Sequence, residues 1–171
     1  DNLEQLKIKL YEFLRKKSSR GTILLAKEGI NGTISVKSEE KQNFISFLNN
    51  LLQKKLNYKI QSHSNHVFIK LKVKIKKEIV KLGQKNIFPQ QITGSYVNPD
   101  RWDDLISSKN VILLDTRNDY ESKIGTFKGS TRVNSFNFTE FPSWVKENKK
   151  RIKNKKIAMF CTGGVRCEKA S

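Results

Sequence analysis

Cysteine is almost missing from this sequence. Cys161 and Cys167 are the only two in 171 residues, too few for the disulfide framework of a small secreted domain and better suited to a reducing cytoplasm. Nor is there an apolar run long enough to span a bilayer, and the opening stretch from Asp1 to Lys9 is a polar helical pattern rather than a charged-then-apolar signal. These absences lead to the expectation of a soluble cytoplasmic protein with no membrane partner. Acidic residues are also scarce, 16 against 34 Lys and Arg, which leaves a net charge of +18. A field of that size attracts polyanions and is screened by salt, so nucleic acid is the first partner class to consider. A lysine-rich proteome could produce such a surplus, but that drift would supply Glu and Asp as well, and here they lag. Hydrophobic content is low at 36%, yet Phe, Ile and Leu recur at regular spacing, so they can gather into cores and the chain should fold.

What is present in the first half reads as a small α+β module. Leu3, Leu6, Leu10, Phe13 and Leu14 fall on one helical stripe. The apolar run 22–26, the turn-rich stretch 27–32 and the alternating 33–36 form a hairpin candidate, with Gly29 and Gly32 permitting positive φ in the turn. Ser38 is placed to cap a second helix bearing Phe44, Phe47, Leu48, Leu51 and Leu52, and Tyr58-Lys59-Ile60 begins another strand. Val67, Ile69, Leu71, Val73 and Ile75 then alternate with Phe68, Lys70, Lys72, Lys74 and Lys76, so a long strand would have one apolar and one mostly lysine face. That row reads equally as a solvated face that blocks edge-to-edge aggregation or as a surface for RNA phosphates. Periodicity weakens between residues 81 and 95, where a linker between two domains is expected.

The second half has the pattern of an α/β domain. Asn98-Pro99 opens a helix to about Ser107 whose Trp102, Leu105 and Ile106 face inward. Residues 110–115 form a continuous apolar strand ending in Asp115, and residues 156–160 form another, as expected of central parallel strands covered on both faces. Directly after the second strand comes Cys161-Thr162-Gly163-Gly164-Val165-Arg166-Cys167. Sites in open α/β sheets lie outside the carboxyl ends of strands, which puts Cys161 in position for chemistry. The paired glycines let backbone N–H groups turn inward, the following helix adds its positive end, and Arg166 contributes a fixed positive charge. Such a cradle can lower a cysteine pKa from about 8.5 to between about 3.5 and 7.5 and would hold a thiolate or a persulfide. A lone cysteine after a strand reads as an inert buried hydrophobe; the Gly-Gly-x-Arg continuation is what turns the reading toward a nucleophile. Cys167 fits three roles: resolving thiol, second sulfur carrier or packed side chain. Two cysteines with the distant His63 and His66 lack the paired spacing of a zinc site, so no metal is expected.

Three segments, 114–121, 124–130 and 161–171, together resemble the rhodanese homology domain. Residues 24–33 and 70–80 extend the likeness to the bacterial rhodanese-domain tRNA uridine hydroxylase family, over nearly the whole chain. The resemblance implies a ferredoxin- or acylphosphatase-like α+β domain at 1–80, a linker at 81–95 and a rhodanese-like α/β domain with a parallel sheet at 96–171. It further implies that the family's opening strand is missing and that the rhodanese domain is truncated at the C-terminus, without its remaining helices and a cysteine-bearing tail. The activity implied is oxygen-dependent 5-hydroxylation of the wobble uridine of tRNA, with molecular oxygen as co-substrate, tRNA as partner and no DNA. Carried over by motif, Cys161 is the persulfide-forming cysteine and Thr162, Gly163, Gly164, Val165 and Arg166 are its loop. Asp115 and Arg117 match a strand-end motif whose expected role is structural pairing, Arg117 with Glu121. No flavin, haem or iron-ligand pattern is visible in the sequence to activate oxygen. Two other readings stand beside the hydroxylase: a sulfurtransferase that passes persulfide sulfur to a small acceptor or carrier protein without RNA, and a non-enzymatic RNA-binding module in which Cys161 is unreactive.

Overall fold

The computed structural model describes residues 2–171. The chain divides into two compact units, with the boundary between Ile79 and Val80.

In the first unit, helix α1 (Leu3–Lys16) starts where the Asn2 side chain accepts the Glu4 amide at 3.1 Å, satisfying one of the amides a helix start leaves without a partner. Its apolar stripe buries Leu10 and Leu14 completely. Strands β1 (Arg20–Ala26) and β2 (Gly29–Ser35) form an antiparallel hairpin joined by Lys27 and Glu28 alone, with Ala26 paired to Gly29. The turn is therefore shorter than the six residues expected from the sequence. Gly32 lies inside β2, where a Cβ would come within 2.4 Å of the Thr22 carbonyl oxygen; close backbone approach, not positive φ, is what requires glycine there. Ser38–Glu40 forms a 3₁₀ turn leading into α2 (Lys41–Leu52), and the Ser38 side chain makes no cap hydrogen bond. Phe44, Phe47, Leu48 and Leu51 pack on the core of Leu10, Leu14, Ile23, Leu25 and Val73, and Phe47 stacks on Phe13 with centroids 3.9 Å apart.

Strand β3 (Leu71–Ile75) lies parallel to β1 at the sheet edge, in the order β2-β1-β3. Pairing extends one residue each way, through Gly21 N to Lys70 O and Lys76 N to Leu25 O. The strand expected over 67–76 is thus shortened: Val67 and Ile69 lie off the ladder and are exposed. Tyr58-Lys59-Ile60 is not a strand either, and Tyr58 and Ile60 are exposed. Alternation alone cannot make a strand, because a strand's amides and carbonyls must find partners.

The second unit is built on a three-stranded parallel sheet ordered β5-β4-β6. A 3₁₀ turn at Pro99–Arg101 leads into α3 (Trp102–Ser107), with Asn98 extended but making no side-chain cap bond. Central strand β4 (Val111–Asp115) is followed by α4 (Asp119–Ile124), edge strand β5 (Thr131–Arg132), helices α5 (Phe141–Glu147) and α6 (Lys149–Ile152), strand β6 (Lys156–Phe160) and helix α7 (Val165–Ala170). Leu113, Leu114 and Ala158 are buried along the two long strands, as continuous apolar runs require. Leu82, Val133, Phe138 and Phe141 form a second core cluster. Residues 81–95, expected as a linker, therefore belong to this unit: Leu82 is in its core, and the Gly94 amide donates to Ser171 Oγ at 2.8 Å.

A candidate active site around Cys161

Parallel pairing sets Asp115 of β4 beside Phe160 of β6, so the two chains leave the sheet side by side and the Thr116 amide donates to the Phe160 carbonyl at 3.2 Å. Cys161 follows at once, half-buried, and the loop turns back over it. Gly164 takes φ of +84°, a conformation disfavoured for residues with a Cβ, and its amide donates to Cys161 Sγ at 2.9 Å. The nearby Cys167 side chain and the amides of Gly163, Arg166 and Cys167 also favour the anion at this sulfur. The Cys167 side chain has the largest effect, and together with the amides it outweighs burial and brings Cys161 down to about 5. Cys167 moves the other way, because the proton that it shares with Cys161 stays on it and burial disfavours its anion. Thr116 Oγ1 lies 3.6 Å from the Cys167 sulfur and donates to the Phe160 carbonyl at 3.0 Å.

Two ion pairs hold this loop and its neighbour. Arg166 meets Glu121 through both guanidinium ends, at 2.6 and 2.8 Å, and Thr162 Oγ1 donates to the same carboxylate at 2.5 Å. Glu121 also accepts the Asn118 amide at 3.1 Å, closing the capping box of α4. Arg166 brings Glu121 down to about 2 against the opposing effect of burial. With its charge partnered by Glu121, Arg166 fixes the loop, while the Gly164 amide is the hydrogen-bond donor on the sulfur.

Arg117 does not pair with Glu121 as expected. It binds Asp115 through Nε to Oδ1 at 2.9 Å and Nη2 to Oδ2 at 2.7 Å, and donates from Nη2 to the Gly125 carbonyl at 2.5 Å. Asp115 is fully buried. Burial alone would raise its pKa, but the Arg117 side chain, the Thr126 hydroxyl, the Arg117 amide and the Ser122 hydroxyl overcome this and hold it at about 2. The Arg117 guanidinium lies 5.3 Å from the Phe160 ring centroid. Beside it, a cavity of about 430 Å3 is walled by Cys161, Thr162, Phe160, Phe127 and Arg117, within the roughly 300–1,000 Å3 of small-molecule sites.

The sequence-derived loop from Cys161 to Arg166 is brought together here, with Val165 starting α7. Lys70, Lys72, Lys74 and Lys76 belong to the first unit, where all four are exposed. Phe127 and Thr126 also line the site, and the sequence does not single them out. The available signal was an aromatic side chain in a short segment between Gly125 and Gly129, read only as part of a family motif.

Residues 1–79 match the family described as UPF0176 acylphosphatase like domain, and residues 98–171 match the rhodanese-like domain. A tRNA uridine(34) hydroxylase of Agrobacterium fabrum is 47% identical over 98% of this chain and 54% of its own length. The tRNA uridine(34) hydroxylase of a Picosynechococcus strain is 47% identical over 95% of the chain and 55% of its own length. Over nearly its whole length the chain is similar to these two proteins, and its two parts carry the acylphosphatase-like and the rhodanese-like match. It spans about half the length of the curated relatives it matches. Its two-unit division accords with the two family matches, and the parallel sheet carrying Cys161 lies in the rhodanese-like part.

Proposed function

We propose that this chain is the acylphosphatase-like and rhodanese-like part of a cytoplasmic enzyme that hydroxylates C5 of the wobble uridine of tRNA, with molecular oxygen as co-substrate and Cys161 as its reactive thiol. The observation that carries the reading is the 47% identity, across nearly the whole chain, to proteins named for that activity. The geometry at Cys161 supports it: a half-buried sulfur held by amides and a neighbouring thiol is a thiolate at neutral pH, and the same donors suit the terminal sulfur of a persulfide. The cavity beside Cys161 gives a substrate ring a place to lie, and the lysine row of β3 supplies exposed charge for RNA phosphates. Among the described residues no helix is long and apolar enough to cross a membrane.

Mass spectrometry of tRNA nucleosides tests the proposal in cells carrying the full-length gene, its deletion, or the Cys161→Ser variant. The expected result is 5-hydroxyuridine in the first and its loss in the other two. Unchanged modification in the deletion removes the activity from this protein, and unchanged modification in Cys161→Ser removes the thiol from the reaction. Persulfide formation from thiosulfate without salt-sensitive tRNA binding would instead favour a sulfurtransferase.

A further inference from the structure

The cavity beside Cys161 has an aromatic wall that the chemistry of the thiol does not explain. Phe127 leaves 43% of its surface exposed although its ring has fixed neighbours. It meets Phe160 in a T-shaped arrangement with centroids 4.8 Å apart and an interplanar angle of 82°, and it lies 5.7 Å from the Trp102 ring at 56°. Phe160 is held in turn beneath the Arg117 guanidinium, which is anchored to buried Asp115. The Phe127 ring is therefore held by two aromatic neighbours while it lines, with Phe160, the cavity that also holds Cys161. Exposed apolar area that is fixed in place in a concave site is a recognition surface, and a planar π-face selects a planar partner.

We propose that Phe127 is the platform on which the target uracil of the RNA stacks within this cavity, beside Cys161. The assignment rests on the uridine-hydroxylase reading and names the side chain that receives the base. A base stacked in an RNA loop does not offer its ring atoms to a recessed sulfur, so it must leave the stack and be received by another surface. Stacking on an aromatic side chain restores about five- to 150-fold in affinity per base. The chain's +18 charge draws the RNA to the protein without choosing a base; the ring receives the base that has left the stack, and stacking by itself tolerates any base.

The test is a double-mutant cycle with the full-length protein and anticodon stem-loop RNAs at fixed salt, one RNA with uridine at the wobble position and one abasic there. Affinities are measured by fluorescence anisotropy for the wild type, Phe127→Ala and Phe127→Tyr. Expected are a roughly tenfold loss for Phe127→Ala on the uridine RNA, near-wild-type binding for Phe127→Tyr, and no further loss for Phe127→Ala on the abasic RNA. Phe127→Leu, which keeps apolar volume without a π-face, replaces the alanine variant if thermal melting shows that the latter is not folded. Equal losses on both RNAs, or no loss on either, overturn the stacking role and leave the hydroxylase reading standing. Failure of the wild type to bind either RNA overturns both.

Discussion

Cys161 is a half-buried sulfur whose pKa is brought down by its surroundings, and the largest effect is that of the other cysteine. That arrangement gives Cys167 a definite role as a positioning residue. In the wild type the rate of haloacetamide alkylation at Cys161 should rise with pH through an inflection near 5. Cys167→Ala removes a donor to a charged acceptor, which is worth about 1.5–3 kcal/mol, so the inflection should move up by about one to two pH units. Cys167→Ser, which restores an O–H donor, should recover most of that movement. An inflection that stays put in Cys167→Ala would show that the amides alone hold the thiolate. At this scale the placement of the thiol was legible, because Cys-x-Gly-Gly-x-Arg after an apolar strand makes the chain turn back over the sulfur. The partner of Arg117 was not. The pairing with Glu121 implied by the family motif gives way because Asp115 and Arg117 leave the strand end together and meet in a buried pair.

The end of β4 shows how one element depends on a buried charge. Asp115 accepts from Arg117, Ser122 and Thr126, so a single carboxylate ties the strand end to α4 and to the segment after it. Asp115→Asn leaves Arg117 without its counter-charge and should cost about 3–5 kcal/mol at neutral pH, read by urea unfolding. The sign of the pH dependence follows from the depressed pKa. Stability from ionised Asp115 is fully present above its ordinary 3.8 and is lost as pH falls through about 2. The gap between wild type and Asp115→Asn should therefore narrow by about 2 kcal/mol on acidification from pH 5 to pH 2. A gap that stays constant would show that the carboxylate's charge is not what stabilises the strand end. Helix α1, the hairpin and strands β4 and β6 were legible because their periods are strong. Tyr58-Lys59-Ile60 misled because its alternation is real but no neighbouring strand hydrogen-bonds to it.

Across the whole molecule, cationic residues outnumber anionic ones by 18. Lys72 and Lys74 stand exposed on β3, with Lys70 and Lys76 just beyond its ends. If these lysines meet RNA phosphates, log affinity for tRNA should fall linearly with log salt, and each lysine removed should lower the slope by about 0.7–0.9. Lys72→Gln with Lys74→Gln should therefore lower it by roughly 1.5, with affinity reduced alike for all tRNAs. An unaltered slope would return the row to the role of a solvated edge that discourages strand pairing.

Helix α1, the first hairpin, strands β4 and β6, the two-part organisation, the placement of a thiol at the end of a buried strand and the excess of cationic charge were written in the sequence, because each follows from local period, composition or a contiguous motif. Which carboxylate meets which guanidinium, that the Gly164 amide donates to Cys161, that residues 81–95 help build the second unit, and that Phe127 walls the same cavity as the thiol were decided only by tertiary structure. These contacts join residues from separate elements, and only the packing of the folded chain brings those elements together.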